Sequence, residues 1–229
     1  STIQRILASI TYKYRVNGFP FDRKNTNISE TISAIVRDDK NQKSGQAREL
    51  LKNDIVQVID AIPNNNEDLR NIRDKALILV GFYSFCRRSE LLGMQYEHLN
   101  FADDGIQILI PFSKTDQKGE GRVIFLPKTN DNYCPNSALN EWLEQAMINS
   151  GPLFYKINKS NTVEKYTLNQ KNNKVSLTDT HFVLILKKRS DSAGLENTKK
   201  ISGHSLRIGA ITQARMNGVP THEIMAQSG

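Results

Sequence analysis

Apolar residues at helical spacing dominate the first part of the chain. Over residues 2–14 they fall three or four positions apart, which is the spacing of one buried helix face, and Gly18-Phe-Pro20 ends the pattern. A second helical pattern covers residues 29–36. The sequence therefore predicts two N-terminal helices, and the apolar face of the first is formed by Ile3, Ile6, Leu7, Ile10 and Tyr14.

A polar stretch without periodicity follows these helices. Residues 37–45 read Arg-Asp-Asp-Lys-Asn-Gln-Lys-Ser-Gly, a composition that is typical of a linker between folded segments. We therefore predict two domains, residues 1–44, which include this linker, and residues 45–229.

Beyond the linker, the pattern predicts a mainly helical α+β domain with a small antiparallel sheet. Residues 106–110 and 122–126 are rich in β-branched and aromatic side chains and are joined by a Lys/Gly-rich connection, which predicts a two-stranded hairpin. Residues 178–188 predict a helix, although the run Phe182-Val-Leu-Ile-Leu186 also fits a strand. Further helices are predicted over residues 47–62, 69–85, 137–148 and 205–216 and from Thr221 onward.

Composition narrows the class of protein. Thirty-one Lys and Arg residues against 24 Asp and Glu give a net charge of +7 and a pI near 9.4, which fits a polyanionic partner but also a basic solvated surface. Cys86 and Cys134 are too few for a disulfide framework, and no spacing predicts a metal site or a cofactor. No signal peptide or spanning apolar segment is evident, so we expect a cytoplasmic, nucleoid-associated protein.

Two segments of the sequence contain an arginine that could bind a phosphate. Arg87 follows an apolar helical segment and needs an anionic partner, either Glu90 three residues later or an external phosphate, while Arg88 competes for the same role. His204 and Arg207 share one side near a predicted helix N-terminus, which favours an anion. Taken singly, each motif fits a capping or surface pair better than a phosphate site.

A lysine in the predicted hairpin connection could protonate a leaving oxygen. Lys114 lies in this flexible turn, and Lys118 competes for the role, although hairpin lysines usually serve solvation and edge protection. Taken together and in this order, the motifs are more specific than each motif alone. Arg87-x-Ser-Glu90, a hairpin lysine and Gly203-His-Ser-Leu-Arg207 together resemble the tyrosine recombinase (phage integrase) family, and within it the Cre-like recombinases.

Segments outside these motifs are also similar to the Cre-like members, so the resemblance covers nearly the whole chain. They are Thr2-Ile-Gln with Gly18-Phe-Pro20, Glu141-Trp142, the continuation of the histidine motif to Ala210, Asn217-Gly-Val and Glu223-Ile-Met225.

The resemblance implies a site-specific recombinase for DNA integration or excision, which cleaves and rejoins strands through a 3′-phosphotyrosyl intermediate without ATP or metal. Arg87 and Arg207 would hold the scissile phosphate, Lys114 would be the general acid, His204 would assist proton transfer and Glu90 would support the site. Residues 1–44 would be the C-terminal part of a helical, SAM-like core-binding domain. Together with the catalytic domain it would clamp double-stranded DNA, with a homotetramer assembling there.

The chain departs from the family pattern at both ends. The family places a Trp or His soon after a segment like Gln227-Ser-Gly229, and the nucleophilic tyrosine a short helix later, whereas all seven tyrosines precede His204. The N-terminus resembles a position midway through the core-binding domain. We therefore expect a piece of a longer protein, truncated before the nucleophile, that binds DNA but does not cleave it alone.

Contacts to DNA are assigned by position. His181 lies where the family places a helix in the major groove, and Lys118, Arg122, Lys156 and Lys159 lie in basic connections suited to phosphates. Surface solvation is the simpler explanation for each residue. Two other functions remain open: a noncatalytic DNA-binding clamp that lacks the nucleophile, and a type IB topoisomerase, against which the Cre-like N-terminal segments argue.

Overall fold

The computed structural model describes residues 2–41, 47–63, 68–111, 121–164 and 176–229, and the chain divides into two compact units, Ser1–Gln46 and Ala47–Gly229. The first unit contains helices α1 (Thr2–Val16) and α2 (Thr26–Asn41). The elements of the second unit are, in chain order, α3 (Lys52–Asp60), α4 (Leu69–Tyr83), α5 (Arg88–Leu92), β1 (Leu99–Ala102), β2 (Gly105–Ile110), β3 (Arg122–Pro127), α6 (Pro135–Gln145), α7 (Asp179–Ser192), α8 (Ser205–Met216) and α9 (Thr221–Ser228).

In the first unit, the apolar face of α1 is only partly covered. Leu7 is 8% exposed, whereas Ile6, Ile10 and Tyr14 are 55%, 39% and 45% exposed. The prediction that this whole face is buried is therefore wrong for these three residues within the unit. The physical reason is that, among the described residues of this unit, α2 is the helix that lies against this face, and one helix covers only a narrow stripe of another.

The core of the second unit forms around α4. This helix is buried on most sides, including Ala76, Leu77 and Leu79 at 0% exposure, and it packs on both α6 and α8. From α6, Trp142 reaches into this core at 0% exposure, and its indole Nε1–H donates to the main-chain oxygen of Leu153 at 2.8 Å. The long apolar pattern that predicted α4 reflects this central position.

Replacing Trp142 by phenylalanine should lower the free energy of unfolding by about 2 kcal/mol, because it removes a buried hydrogen bond and leaves a void. Urea unfolding would measure the loss. Exposed Met147 to leucine is the control and should change stability by less than about 0.5 kcal/mol. Equal stability of the Trp142→Phe variant would contradict this account of the core.

Three antiparallel strands form one small sheet in the order β1-β2-β3, which confirms the mainly helical fold with a small antiparallel sheet. Along β2, Ile106, Ile108 and Ile110 are buried and alternate with exposed residues. The prediction of only two strands was wrong, because β1 is four residues long and mostly exposed, and therefore shows no apolar alternation.

Two further sequence predictions are corrected or decided by packing. Residues 179–188 lie in helix α7 and not in a strand, since Phe182 and Leu186 are buried one turn apart while Leu184 is 56% exposed. Helix α3 begins at Lys52 and not at residue 47. Residues 47–51 are not helical because they pack along α8, where the Leu50 N–H donates to the Ser205 oxygen at 3.2 Å.

Candidate active site

Arg87 is positioned by a sharp turn between α4 and α5. Phe85 has a φ of 55°, in the left-handed region that non-glycine residues rarely adopt. The Cys86 N–H donates to the Ser84 hydroxyl at 3.3 Å within the same turn. The main-chain oxygen of Phe85 thereby accepts a hydrogen bond from Arg207 Nη1 at 2.8 Å. A strained residue thus connects the α4–α5 turn to the arginine of α8.

Glu90 lies in the first turn of α5 and joins two arginines. Its Oε2 accepts from the Arg87 N–H at 2.9 Å and its Oε1 accepts from Arg87 Nη1 at 3.0 Å. Arg122 Nη2, from the first residue of β3, donates to the same Oε2 at 2.8 Å. The Glu90 side chain is only 3% exposed, so Arg87 and Glu90 are not a surface pair. They do form a capping pair at the start of α5, as the other alternative predicted, and this pair is part of a buried network.

The ionisation of Glu90 follows from these contacts. Burial by itself raises the pKa of the Glu90 carboxyl, but the hydrogen bonds from Arg122 and from the N–H and guanidinium of Arg87 outweigh it and lower the pKa to about 2. The site therefore contains a permanent buried carboxylate at neutral pH. Nearby, burial raises the pKa of the Cys86 thiol to about 11, so this thiol stays protonated.

The lowered pKa of Glu90 predicts that the free energy of unfolding depends on the ionisation of this carboxyl at acidic pH. The unfolded carboxyl, with an ordinary pKa of 4.5, binds a proton before the folded one does. Its contribution of roughly 3 kcal/mol is complete above about pH 5 and is lost as the pH falls towards 2. Glu90→Gln should therefore unfold with a flatter pH dependence over this range, measured by urea titrations. Exposed Glu144→Gln should keep the wild-type slope, and an unchanged slope for Glu90→Gln would contradict the assignment.

Helix α8 brings His204 and Arg207 to this turn. His204 is the exposed N-cap residue of α8, and Arg207 lies in its first turn. The N-terminus of the helix is fixed by Ser205, whose hydroxyl accepts from the Ser202 N–H at 2.9 Å and whose side chain is fully buried. The histidine therefore faces solvent beside a half-buried arginine.

Arg87 and Arg207 converge on one oxygen. Arg87 Nη2 and Arg207 Nη2 donate to the main-chain oxygen of Gly229 at 3.1 and 3.3 Å, and Arg207 Nη1 donates to the Ser228 oxygen at 2.6 Å. Burial, and then the positive charges of Arg87 and Arg122, lower the pKa of Arg207 despite the opposing effect of Glu90. The guanidiniums are thus held close together against their mutual repulsion.

Three further residues were predicted to take part in the chemistry: Lys114, Lys118 and Arg88. Lys114 and Lys118 lie outside the described residues. Arg88, the competitor of Arg87, pairs with Asp179 at 2.8 Å and packs on Gly203, so it is engaged away from the Gly229 oxygen. Among the described residues, no group of three His, Cys, Asp or Glu side chains is placed to hold a metal ion. No helix in the described ranges is long and apolar enough to cross a membrane.

The residues predicted to contact DNA divide into two groups. His181, in the first turn of α7, and Lys159 are exposed, and Lys156 is half-buried. The His181 ring Nδ1 lies 3.0 Å from the Thr178 hydroxyl. Arg122, in contrast, has a side chain only 15% exposed and belongs to the Glu90 network.

The sequence analysis did not predict that Arg122 belongs to the Glu90 network. A signal was present: strand periodicity puts Arg122 on the same face as Ile124 and Leu126, which are 1% and 0% exposed. An arginine on the buried face of a strand needs an internal carboxylate. The sequence does not reveal which one, because Glu90 lies 32 residues away.

Helix α9 closes the site from the side of β3. The Gln227 side chain donates to the main-chain oxygens of Phe125 and Tyr83 at 2.8 and 3.1 Å and accepts from the Phe125 N–H at 3.2 Å. It thereby pairs the outer edge of β3 as another strand would. The carbonyl of Ser228, the last residue of α9, and that of the C-cap residue Gly229 consequently point to the arginines.

Comparison with known proteins identifies relatives of this chain. The chain is 32% identical to the "Integrase/recombinase xerD homolog" of Selenomonas ruminantium over 232 residues, which cover the whole chain but 64% of that protein. Three solved structures share the fold. XerH bound to palindromic difH substrate, in a post-cleavage complex, has a TM-score of 0.59 at 17% identity over 82% of this chain and 48% of that one.

The other two solved structures are matched over nearly the full chain. XerA recombinase has a TM-score of 0.54 at 15% identity, covering 99% of this chain and 71% of that one. The Flpe–Holliday junction complex has a TM-score of 0.51 at 17% identity, covering 100% and 53%. Likeness to Cre in particular stays a prediction. The phage integrase family model matches residues 48–229, which include both arginines, the histidine and Glu90, and the chain therefore belongs to the phage integrase family.

Proposed function

We propose that the protein is a site-specific DNA recombinase that cleaves and rejoins strands through a 3′-phosphotyrosyl intermediate. The observation that carries this proposal is the convergence of Arg87 and Arg207 on the Gly229 oxygen at 3.1 and 3.3 Å. That oxygen stands in for a nonbridging oxygen of the scissile phosphate. Two guanidiniums on one oxygen stabilise the charge that develops there during attack on phosphorus.

The reaction assigns one role to each residue. A tyrosine hydroxyl attacks phosphorus and gives up its proton in a transfer that His204 assists. The bond from phosphorus to the 5′ oxygen breaks, and Lys114 donates the proton that this leaving oxygen takes up. His204, exposed beside Arg207, assists proton transfer, and Glu90 supports Arg87. The proposal requires the tyrosine from outside these 229 residues, since every tyrosine in them precedes His204. Rejoining reverses the steps with the 5′ hydroxyl of a partner strand.

The partner is double-stranded DNA, and the net charge of +7 supports this choice. We propose that the first unit is the C-terminal part of a core-binding domain, which together with the catalytic domain encloses the duplex as a homotetramer assembles. Exposed Lys159 and His181, together with Lys156 and Lys118, are the proposed DNA contacts. The xerD homolog and the XerH–difH complex support a role at a defined recombination site. The proposal places the protein in the cytoplasm, on the DNA of the nucleoid.

The test uses the full-length protein and the DNA of its source organism, so no target site needs to be known. The protein is incubated with sheared genomic DNA, denatured in detergent, and collected with any DNA that remains covalently attached. We expect recurrent ends at a single sequence, each joined by a 3′ phosphate to a tyrosine. Arg207→Ala is the negative control.

Each alternative function predicts a different result. A noncatalytic clamp retains DNA before denaturation but carries none afterwards. A type IB topoisomerase relaxes supercoiled plasmid without exchanging strands between two copies of the recovered site. Either result would overturn the proposal.

A further inference from the structure

Arg122 is buried beside the proposed phosphate site and is held away from the surface. Its side chain is 15% exposed, its Nη2 donates to Glu90 Oε2 at 2.8 Å, and the same nitrogen lies 3.7 Å from the Cys86 sulfur. Gly229 covers the guanidinium so closely that a Cβ there would lie 2.6 Å from Nη1. The low exposure of this side chain and its contact with Glu90 direct Arg122 towards the carboxylate and away from a DNA phosphate.

Two donors of Arg122 remain without an acceptor. Nε and Nη1 are buried and have no hydrogen-bond partner among the residues that the structure describes. Burying unpaired guanidinium donors costs free energy, so packing on this strand does not explain the residue. The contact that offsets this cost is the ion pair with Glu90.

The two oxygens of Glu90 divide the surrounding donors between them. Oε1 accepts from Arg87 Nη1, and Oε2 accepts from Arg122 Nη2 and from the Arg87 N–H. The carboxylate therefore cannot rotate without breaking contacts on both sides. By fixing the carboxylate, Arg122 also fixes the plane of the Arg87 guanidinium, whose Nη2 reaches the Gly229 oxygen.

The charges of the cluster lead to the same conclusion. Arg87, Arg122 and Arg207 carry three positive charges and Glu90 one negative, which leaves a net +2 in a half-buried site. A phosphodiester carries one negative charge, and its five-coordinate transition state carries two. Without Arg122, Glu90 would neutralise Arg87 alone, and a net +1 would remain. With Arg122 present, the net positive charge of the site therefore equals the negative charge of the transition state.

We propose that Arg122 is a positioning residue for phosphoryl transfer, acting through Glu90 on Arg87 without touching the DNA. This inference rests on the proposed function. Its chemistry is distinct from a DNA contact, because a DNA contact would govern affinity, whereas a positioning residue governs the rate after binding and the pH at which the site works.

The test compares Arg122→Met and Arg122→Lys with wild type in the full-length protein, on the DNA site recovered by covalent capture. Arg122→Met should slow cleavage roughly 10- to 100-fold, as expected for a displaced binding group, with DNA affinity within about threefold. Arg122→Lys, which restores a charge next to Glu90, should recover part of the rate. Lys128→Met, which removes an exposed charge just beyond β3, should match wild type.

The pH profile separates positioning from a purely structural role. Arg87, Arg122, Arg207 and Cys86 lie around Glu90, and losing Arg122 removes a hydrogen bond of 2.8 Å that keeps the carboxylate ionised. Cleavage by Arg122→Met should therefore fall at acidic pH where wild type does not, and the carboxyl ¹³C signal of Glu90 should titrate at higher pH than in wild type. A lower melting temperature with neither change would overturn the inference.

The outcomes for the two proposals can be told apart. If wild type forms no covalent complex, the proposed function fails, and the titration of Glu90 still tests the link to Arg122. If wild type cleaves and Arg122→Met loses affinity in proportion to rate, Arg122 is a DNA contact and the positioning role is wrong. If Arg122→Met does not fold, a wild-type rate and pH profile in Arg122→Lys overturn the role, because an ammonium lacks the planar fork.

Discussion

Replacing Arg207 by lysine in the full-length protein is expected to reduce the rate of DNA cleavage at least about 10²- to 10³-fold while DNA affinity changes by less than about threefold. Arg207 serves three acceptors: Nη1 bonds the Phe85 and Ser228 oxygens at 2.8 and 2.6 Å, and Nη2 reaches the Gly229 oxygen at 3.3 Å. A lysine ammonium keeps the charge but cannot hold this planar arrangement while also contacting a phosphate. DNA affinity should persist, because it is the sum of many contacts to phosphates along the DNA backbone.

The matched control is Arg215→Lys, an exposed arginine in the last turn of the same helix. It should leave both cleavage and binding unchanged. Single-turnover cleavage and equilibrium binding are measured at the same salt concentration, because affinity for DNA depends steeply on ionic strength. Wild-type cleavage by Arg207→Lys would remove Arg207 from the proposed mechanism.

Replacing Gly209 by alanine should lower the free energy of unfolding by about 3 kcal/mol, as overpacking against a fixed backbone does. A Cβ at this position would lie 1.8 Å from the Leu50 oxygen and 2.4 Å from the Leu50 carbonyl carbon. Leu50 is 1% exposed and its N–H donates to the Ser205 oxygen, so its backbone cannot move without breaking this contact with α8. In an unhindered helix the same change would stabilise by about 1 kcal/mol.

Thr212→Ala, on the same helix, is the control for this experiment. It removes only a hydrogen bond to Glu49 near the surface and should cost less than about 1 kcal/mol. Urea unfolding of the three proteins gives the comparison. A Gly209→Ala variant as stable as wild type would show that residues 47–51 do not pack on α8 as described. Since α8 also carries His204 and Arg207, we further expect the variant to lose activity before it loses its fold.

Patterns confined to neighbouring residues were predictable from the sequence. The predicted helix over residues 205–216 has the observed bounds of α8, and both predicted strands are found within one residue of β2 and β3. These elements are long enough for their periodicity to show which face is buried. Helix α5, with five residues, and β1, with four, are too short for this, and neither was predicted.

The candidate site, like the fold, was predictable from the sequence only in part. The order of the Arg87 motif, a hairpin lysine and the motif with His204 and Arg207 led to the resemblance to the family, which the comparison then confirmed. Their roles, and that of Lys114, stay predictions. The burial of Arg122 was not predicted, because a basic residue next to a hairpin connection resembles a surface residue until the face of its strand is considered.

The sequence by itself determined the helical segments, the hairpin strands and the order of the cationic residues, because each depends on residues that are near each other in the chain. Only the tertiary structure decided which of these residues meet. Arg207 lies 122 residues from Phe85, and Arg87 lies 142 residues from Gly229. Such contacts follow from how α4, α8, α9 and β3 pack. Periodicity shows that a face is buried, but the complementary shapes and charges of distant elements select its partner.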